Sequence, residues 1–291
     1  MRKKSIWRRI APLLIFALVC GLAMFWIIAS KLSAPNNGPV EAAVAPAKDI
    51  TLTATDGKKV AATYWPGPKE NAPAILFLHG NGGSRAVFAD AAGWYNRHGY
   101  AVMTIDFRGH GESAVEDHSF GLFEARDAKA AFDWLKTKQQ GGKIGVVGLS
   151  LGGAAALLGD DGPLPADAMV LQAVYPDIRR AVFNRLASQA GIAPAYIMEP
   201  LLSYQSWFRQ GVSPARLSPI EAVKRYKAPL FVIGGGEDVY TPPEETRALA
   251  AAYGNNAPIW LVPGKDHGGV SSGDDPEYRQ RVLDFFNAHL R

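Results

Sequence analysis

Six short and nearly continuous apolar runs, at residues 74–78, 101–105, 144–147, 168–171, 230–233 and 259–262, constrain this chain more than any other feature. Runs in which neither face alternates with polar residues belong to strands buried on both sides. Between them lie segments with helical spacing, at about 85–98, 120–138, 151–158, 243–253 and 276–290; in the second, Phe123, Ala130, Ala131, Trp134 and Leu135 tend to one face. Strand alternating with helix predicts a mostly parallel sheet covered on both faces, a three-layer α/β/α domain. Ahead of it, residues 50–55 and 60–65 alternate in polarity around Asp56-Gly57 and predict an antiparallel hairpin. With 291 residues and 48% hydrophobic content, the chain can bury a core of that size.

One stretch breaks the rhythm. Between Pro176 and Pro229 no strand-like run occurs, only helical fragments carrying Phe183, Tyr196, Tyr204, Trp207 and Phe208. Residues 176–228 are therefore expected to form a small helical cap. Ligands enter open α/β sheets at the carboxyl ends of the strands, so a cap inserted there is expected to shape substrate choice.

The N-terminus obeys a different rule. Residues 10–29 run for 20 positions without a charge, close to the ~20 that a helix needs to cross a bilayer. Arg2, Lys3, Lys4, Arg8 and Arg9 precede the run and only Lys31 closely follows it, a bias that keeps the N-terminus cytoplasmic and sends the rest across the membrane. After these six, 25 basic residues remain against 27 acidic ones, a net charge of −2, so the basic balance belongs to the tail and not to a nucleic-acid surface. A cleaved signal peptide would have a shorter apolar stretch and a better small-x-small site than Ile28-Ala29-Ser30. Lipidation at Cys20, the single cysteine, is disfavoured by Val19 before it and by its place in the middle of the run. Residues 1–31 thus read as tail and single membrane anchor, 32–48 as a Pro-, Ala- and Asn-rich linker, and 49–291 as the folded domain.

Gly148-Leu149-Ser150-Leu151-Gly152 follows one strand-like run and precedes a helix-like one. In that context the G-x-S-x-G spacing marks a tight strand-to-helix turn that lifts a serine above the sheet, and larger residues two before or two after it would collide. The bland alternative is a glycine-rich turn with a capping serine. Together with His79-Gly80 after the 74–78 run and Asp106-Phe107-Arg108-Gly109-His110-Gly111-Glu112-Ser113 after the 101–105 run, this motif resembles the α/β-hydrolase superfamily, over about residue 49 to the C-terminus. The similarity is greatest to its esterase and lipase-like branch of serine aminopeptidase type, which includes the membrane-anchored BEM46-like proteins.

The resemblance implies specific roles. A serine hydroxyl is a weak nucleophile until an imidazole takes its proton, and a carboxylate must orient that imidazole. The family order is serine, acid, histidine, and only His267 and His289 follow the Gly148–Gly152 turn, the elbow that carries the serine. His267 lies in a loop after the last strand-like run, whereas His289 sits in the last helix beside Phe285 and Phe286. The acid implied is Asp238, in the loop Gly234-Gly235-Gly236-Glu237-Asp238; Asp177 is its main rival, with Glu237 expected to point elsewhere and Asp266 to be solvated. The backbone N–H groups of Asn81 and Leu151 are implied as donors to an oxyanion. His79 and His110 are expected to be structural.

The expected activity is hydrolysis of carboxylic esters through an acyl-enzyme on Ser150, with lipid-like and thioester substrates in range. The alternatives are a peptidase of the same fold and a non-catalytic, membrane-tethered binding module. No metal-binding spacing and no dinucleotide fingerprint occur, so no cofactor is expected; the expected partners are a small ester or lipid-like molecule and the membrane, through residues 10–29.

Overall fold

The computed structural model describes residues 3–254, 256–271 and 275–291. Eight strands form one sheet: β1 (Lys48–Thr53), β2 (Lys59–Trp65), β3 (Ala74–Leu78), β4 (Ala101–Ile105), β5 (Ile144–Leu149), β6 (Ala168–Gln172), β7 (Leu230–Gly235) and β8 (Ile259–Val262). Their spatial order is β8-β7-β6-β5-β3-β4-β2-β1. β1 and β2 pair antiparallel, as does β2 with β4, and every other neighbouring pair is parallel. The hairpin and the parallel sheet foreseen in the sequence are both present.

The continuous apolar runs have a clear cause. Along β3, Leu76 and Leu78 face one core cluster while Ile75 and Phe77 face the other. On the first side the sheet is covered by α3 (Glu124–Lys138), α4 (Leu151–Leu157) and α9 (Pro243–Tyr253), through residues such as Phe132, Ala155 and Leu249. On the second side α2 (Ala89–Arg97) and α10 (Pro276–Leu290) pack through Tyr95, Val282 and Phe286. This is the three-layer α/β/α architecture. Each fully buried Phe or Leu contributes about 1.5–3 kcal/mol relative to exposure, so the central strands are the most expensive to interrupt.

Two helices begin later than their periodicity suggests. Residues 85–88 form a tight 3-10 turn before α2. α3 starts at Glu124 because the preceding residues are held in a turn: the Glu124 carboxylate accepts the Ser119 and Gly121 N–H groups at 2.8 and 2.9 Å, and the Ser119 hydroxyl accepts the Phe123 N–H at 2.7 Å. Phe120 has a φ of 55° within that turn.

Between β6 and β7 the chain is helical, with α5 (Ile178–Ala190), α6 (Ile192–Ser203), α7 (Ser206–Arg209) and α8 (Pro219–Ala222). The N-terminal helix α1 runs from Lys3 to Ser33, and its segment Ile10–Ser33, 24 residues that include an 18-residue stretch with a mean hydropathy of 2.6, is long and apolar enough to cross a membrane. The segment after α1 is tied to the domain: Asn36–Asn37 pair in parallel with His110–Gly111, and the Asn37 side-chain amide donates to the Ser113 carbonyl at 2.9 Å.

Candidate active site

Ser150 sits at the junction of β5 and α4 with φ 48° and ψ −108°. A non-glycine residue holds such a conformation at a cost on the order of 1–3 kcal/mol, and only where its surroundings fix it. Here the Ser150 N–H donates to the Gln172 carbonyl at 2.8 Å, and its own carbonyl accepts from the Ala154 N–H at 3.0 Å. The flanking glycines are steric requirements. A Cβ on Gly148 would lie 2.5 Å from the Gly153 Cα, and one on Gly152 would lie 2.2 Å from the Leu78 carbonyl oxygen. The sharp turn is therefore possible only with this spacing.

The structure brings Ser150, His267 and Asp238 together. His267 Nε2 is 3.2 Å from Ser150 Oγ, and His267 Nδ1 is 2.8 Å from Asp238 Oδ2. Asp238 is buried and its second oxygen accepts the Tyr240 and Thr241 N–H groups, both at 2.8 Å. The carboxylate is thus fixed from behind while it faces the imidazole. With a proton on Nδ1 directed at Asp238, Nε2 is left as an acceptor for the serine O–H. Such a chain can withdraw the hydroxyl proton and return it.

What aligns the two loops was not read from the sequence. The Gly236 N–H donates to the Val262 carbonyl at 2.9 Å, and the Glu237 N–H to the Lys265 carbonyl at 3.0 Å. A Cβ on Gly235 would lie 2.4 Å from that same Lys265 oxygen. The run Gly234-Gly235-Gly236 is the signal that could have revealed this close approach.

Asn81 and Leu151 border the same cavity as Ser150. As the first residue of α4, Leu151 has an N–H without an intrahelical partner, and the helix N-terminus favours negative charge. The Asn81 loop is held by two histidines. His79 donates through Nδ1 to the Gly80 carbonyl at 2.7 Å and accepts the Phe107 N–H at Nε2, 3.1 Å away. His110 accepts the Gly82 N–H at 3.0 Å and donates through Nδ1 to the Arg108 carbonyl at 3.0 Å. Burial, with His110 nearby, pushes the His79 pKa down to about 3, and burial, with His118 stacked alongside, pushes that of His110 down to about 4. Both rings are neutral braces.

A model of the alpha/beta hydrolase family matches residues 75–278. The chain belongs to this family. Among its relatives, the uncharacterized protein Rv2307c of Mycobacterium tuberculosis is 30% identical over 93% of this chain and 90% of its own length. Lysophosphatidylserine lipase ABHD12 of Rattus norvegicus is 28% identical over 59% of this chain and 43% of its own. Among solved structures, esterase Pf2001 of Pyrococcus furiosus superimposes with a TM-score of 0.68 at 21% identity, covering 88% of this chain and all of that one, 100%.

In this α/β hydrolase the other candidates are accounted for. Asp177 caps α5, accepting the Arg180 N–H at 2.9 Å. Glu237 is exposed, and Asp266, also exposed, accepts the Gly269 N–H at 2.7 Å. His289 packs its ring on Phe285, with centroids 4.8 Å apart. Arg85 escaped sequence reading altogether: it is buried, pairs with Asp106 and Glu112, and its N–H donates to Asp106 at 2.6 Å. Among the described residues no cluster of three His, Cys, Asp or Glu could hold a metal ion. The cavity beside Ser150 is about 190 Å³, lined by Phe120, Tyr175, Ile178, Val182 and Leu186 with Arg185 and Gln189 as polar members. A larger cavity of about 790 Å³, bordered by Tyr64 and Trp134, shares no residue with this site.

Proposed function

We propose that this chain is a membrane-anchored serine hydrolase that cleaves carboxylic esters with apolar acyl groups. The reading rests above all on one observation, the contact chain from Ser150 through His267 to Asp238 at the edge of an apolar cavity. Ser150 Oγ attacks the ester carbonyl carbon as His267 Nε2 takes its proton. The oxyanion is held by the N–H groups of Asn81 and Leu151, donors of a kind worth about 10²–10³ in rate each. His267 then gives the proton to the leaving alkoxide, and water, activated by the same imidazole, releases the acid and restores Ser150. The relative named as a lysophosphatidylserine lipase supports an ester substrate of lipid type.

In this reading residues 1–31 are tail and anchor, 32–48 a connection, and 49–291 the hydrolase domain with residues 176–228 as its cap. The basic N-terminal flank keeps residues before the span in the cytoplasm and puts the reaction on the other side. The test uses the full chain in detergent, exposed to a fluorophosphonate probe and to p-nitrophenyl esters of increasing chain length, beside Ser150→Ala. Wild type is labelled and turns esters over, while the variant does neither. Equal behaviour of the two overturns the assignment.

A further inference from the structure

One wall of the cavity beside Ser150 comes from the N-terminal helix: Ile28 and Leu32 of α1 line it together with Phe120, Val182 and Leu202. The same helix is docked on the cap. The Arg209 guanidinium of α7 donates to the Trp26 carbonyl and the Ser30 hydroxyl, at 2.8 and 2.9 Å, and lies 4.1 Å over the Trp26 ring. Gln205 donates to the Phe25 carbonyl at 3.1 Å. At its far end α1 is fastened to the domain, with the His118 N–H on the Ser33 carbonyl at 2.7 Å and the Asn36 amide on the Gly82 carbonyl at 3.2 Å, one residue from Asn81. The span and the site therefore hold a fixed relation.

That relation sets a depth. At about 1.5 Å per residue, Ile28 lies about 27 Å and Leu32 about 33 Å along the axis from Ile10, the first residue of the span, and the hydrocarbon layer is about 30 Å thick. The two wall residues straddle the boundary between acyl chains and headgroups, where the ester carbonyls of glycerolipids lie. The cap presents an apolar face at the same level: Ile197 is 71% exposed, Trp207 55% and Phe208 80%. α7 meets α1 between Phe25 and Ser30, about 22–30 Å along the axis from Ile10, so Trp207 and Phe208 fall within about 8 Å of the boundary, a depth that interfacial helices also reach. A water-facing cap has no use for these residues, whereas a leaflet surrounding α1 covers them.

We propose that the substrate is a membrane-resident lipid ester, which passes sideways from the leaflet into the site along the wall formed by Ile28 and Leu32, while the apolar face of α6 and α7 is seated in that leaflet. The inference rests on the proposed reaction at Ser150. One acyl C–O bond breaks and one water is consumed, leaving a fatty acid and releasing an alcohol.

The test uses the full chain reconstituted in phosphatidylcholine vesicles containing monooleoylglycerol, with p-nitrophenyl acetate as the dissolved comparison substrate. The quantity read is the ratio of oleate release to acetate release. Ile28→Trp and Leu32→Trp, which fill the slot, lower this ratio at least ~10-fold, as does the double variant Trp207→Glu/Phe208→Glu, which places charge on the seated face. The double variant lies on the surface and decides the matter if a slot variant fails to fold. Ratios within twofold of wild type in every variant, or wild type that cleaves acetate but not monooleoylglycerol, overturn the membrane-lipid inference and leave the serine hydrolase standing. Acetate turnover unchanged by Ser150→Ala overturns the hydrolase reading instead.

Discussion

Replacing His110 by Gln would test whether a neutral buried imidazole braces the loop that carries Asn81. His110 is inaccessible to solvent, accepts the Gly82 N–H, and has its pKa pushed down to about 4 from 6.5, first by burial and then by His118. The unfolded chain therefore binds a proton that the folded chain refuses, and the stability due to this group is complete above pH 6.5 and is lost as pH falls from 6.5 towards 4. At about pH 5 the unfolded histidine is almost wholly protonated and the folded one about a tenth so, which costs about 2 kcal/mol relative to about pH 7.5. His79, its ring 4.9 Å away and its pKa down to about 3, acts in the same sense. Gln keeps a neutral acceptor but does not titrate. Urea unfolding of the full chain in detergent, followed by tryptophan fluorescence at the two pH values, measures the difference. His110→Gln is less stable near neutrality by about 1–3 kcal/mol through imperfect hydrogen bonding, yet loses about 2 kcal/mol less than wild type on acidification. An equal acid loss in both proteins refutes the reasoning.

Three further outcomes are expected. Asp238→Asn lowers ester turnover by about 10⁴-fold because the imidazole is no longer held in the required tautomer, while Asp177→Ala loses about 1 kcal/mol of stability through its cap and keeps its turnover; steady-state kinetics and thermal unfolding separate the two, and the reverse pattern would exchange their roles. Arg85→Met leaves Asp106 buried and unpaired and costs about 3–5 kcal/mol, read as a fall in the melting temperature; an unchanged value would mean that the pair contributes nothing. Gly235→Ala pushes the Lys265 backbone away and displaces His267, so fluorophosphonate labelling slows about 10²-fold, the usual penalty for an ångström of misplacement. Wild-type labelling in that variant would show that the two loops are not coupled there.

The strands were legible because burial on both faces leaves a one-dimensional trace: every residue of β3, β4 and β6 is buried, so no polar alternation survives. The elbow was legible because Gly148 and Gly152 answer to steric limits set within a few residues. Arg85 was not legible. Its position at a helix start reads as ordinary solvent-facing charge, and its partners Asp106 and Glu112 lie 21 and 27 residues away, brought close only by strand pairing. Asn36 and Asn37 sit in a composition typical of a linker, and their pairing with His110–Gly111 likewise depends on tertiary placement. For Trp207 and Phe208 the limit is different. An aromatic residue looks the same in sequence whether it fills a core or faces a leaflet, and only the observed exposure separates these cases.

The choice between Asp177 and Asp238 shows how sheet geometry favours one acid where spacing leaves two open. Both acids follow parallel strands, Asp177 after β6 and Asp238 after β7, and β5, which delivers Ser150, is next to β6. Proximity along the sheet alone would favour Asp177. Strands lie about 4.8 Å apart, so the ends of β5 and β7 are separated by roughly 10 Å, too far for serine and carboxylate to touch and wide enough to seat an imidazole between them. The imidazole must then arrive from β8, at the edge beyond β7, by a loop that folds back over the β7 end. Gly235 and Gly236 permit that passage by removing side chains where the 262–265 backbone crosses. Asp177, by contrast, is spent on the first turn of α5, where the cap begins. The glycines after β7 and the cap after β6 thus act together: one admits the histidine to Asp238, and the other engages the nearer acid elsewhere.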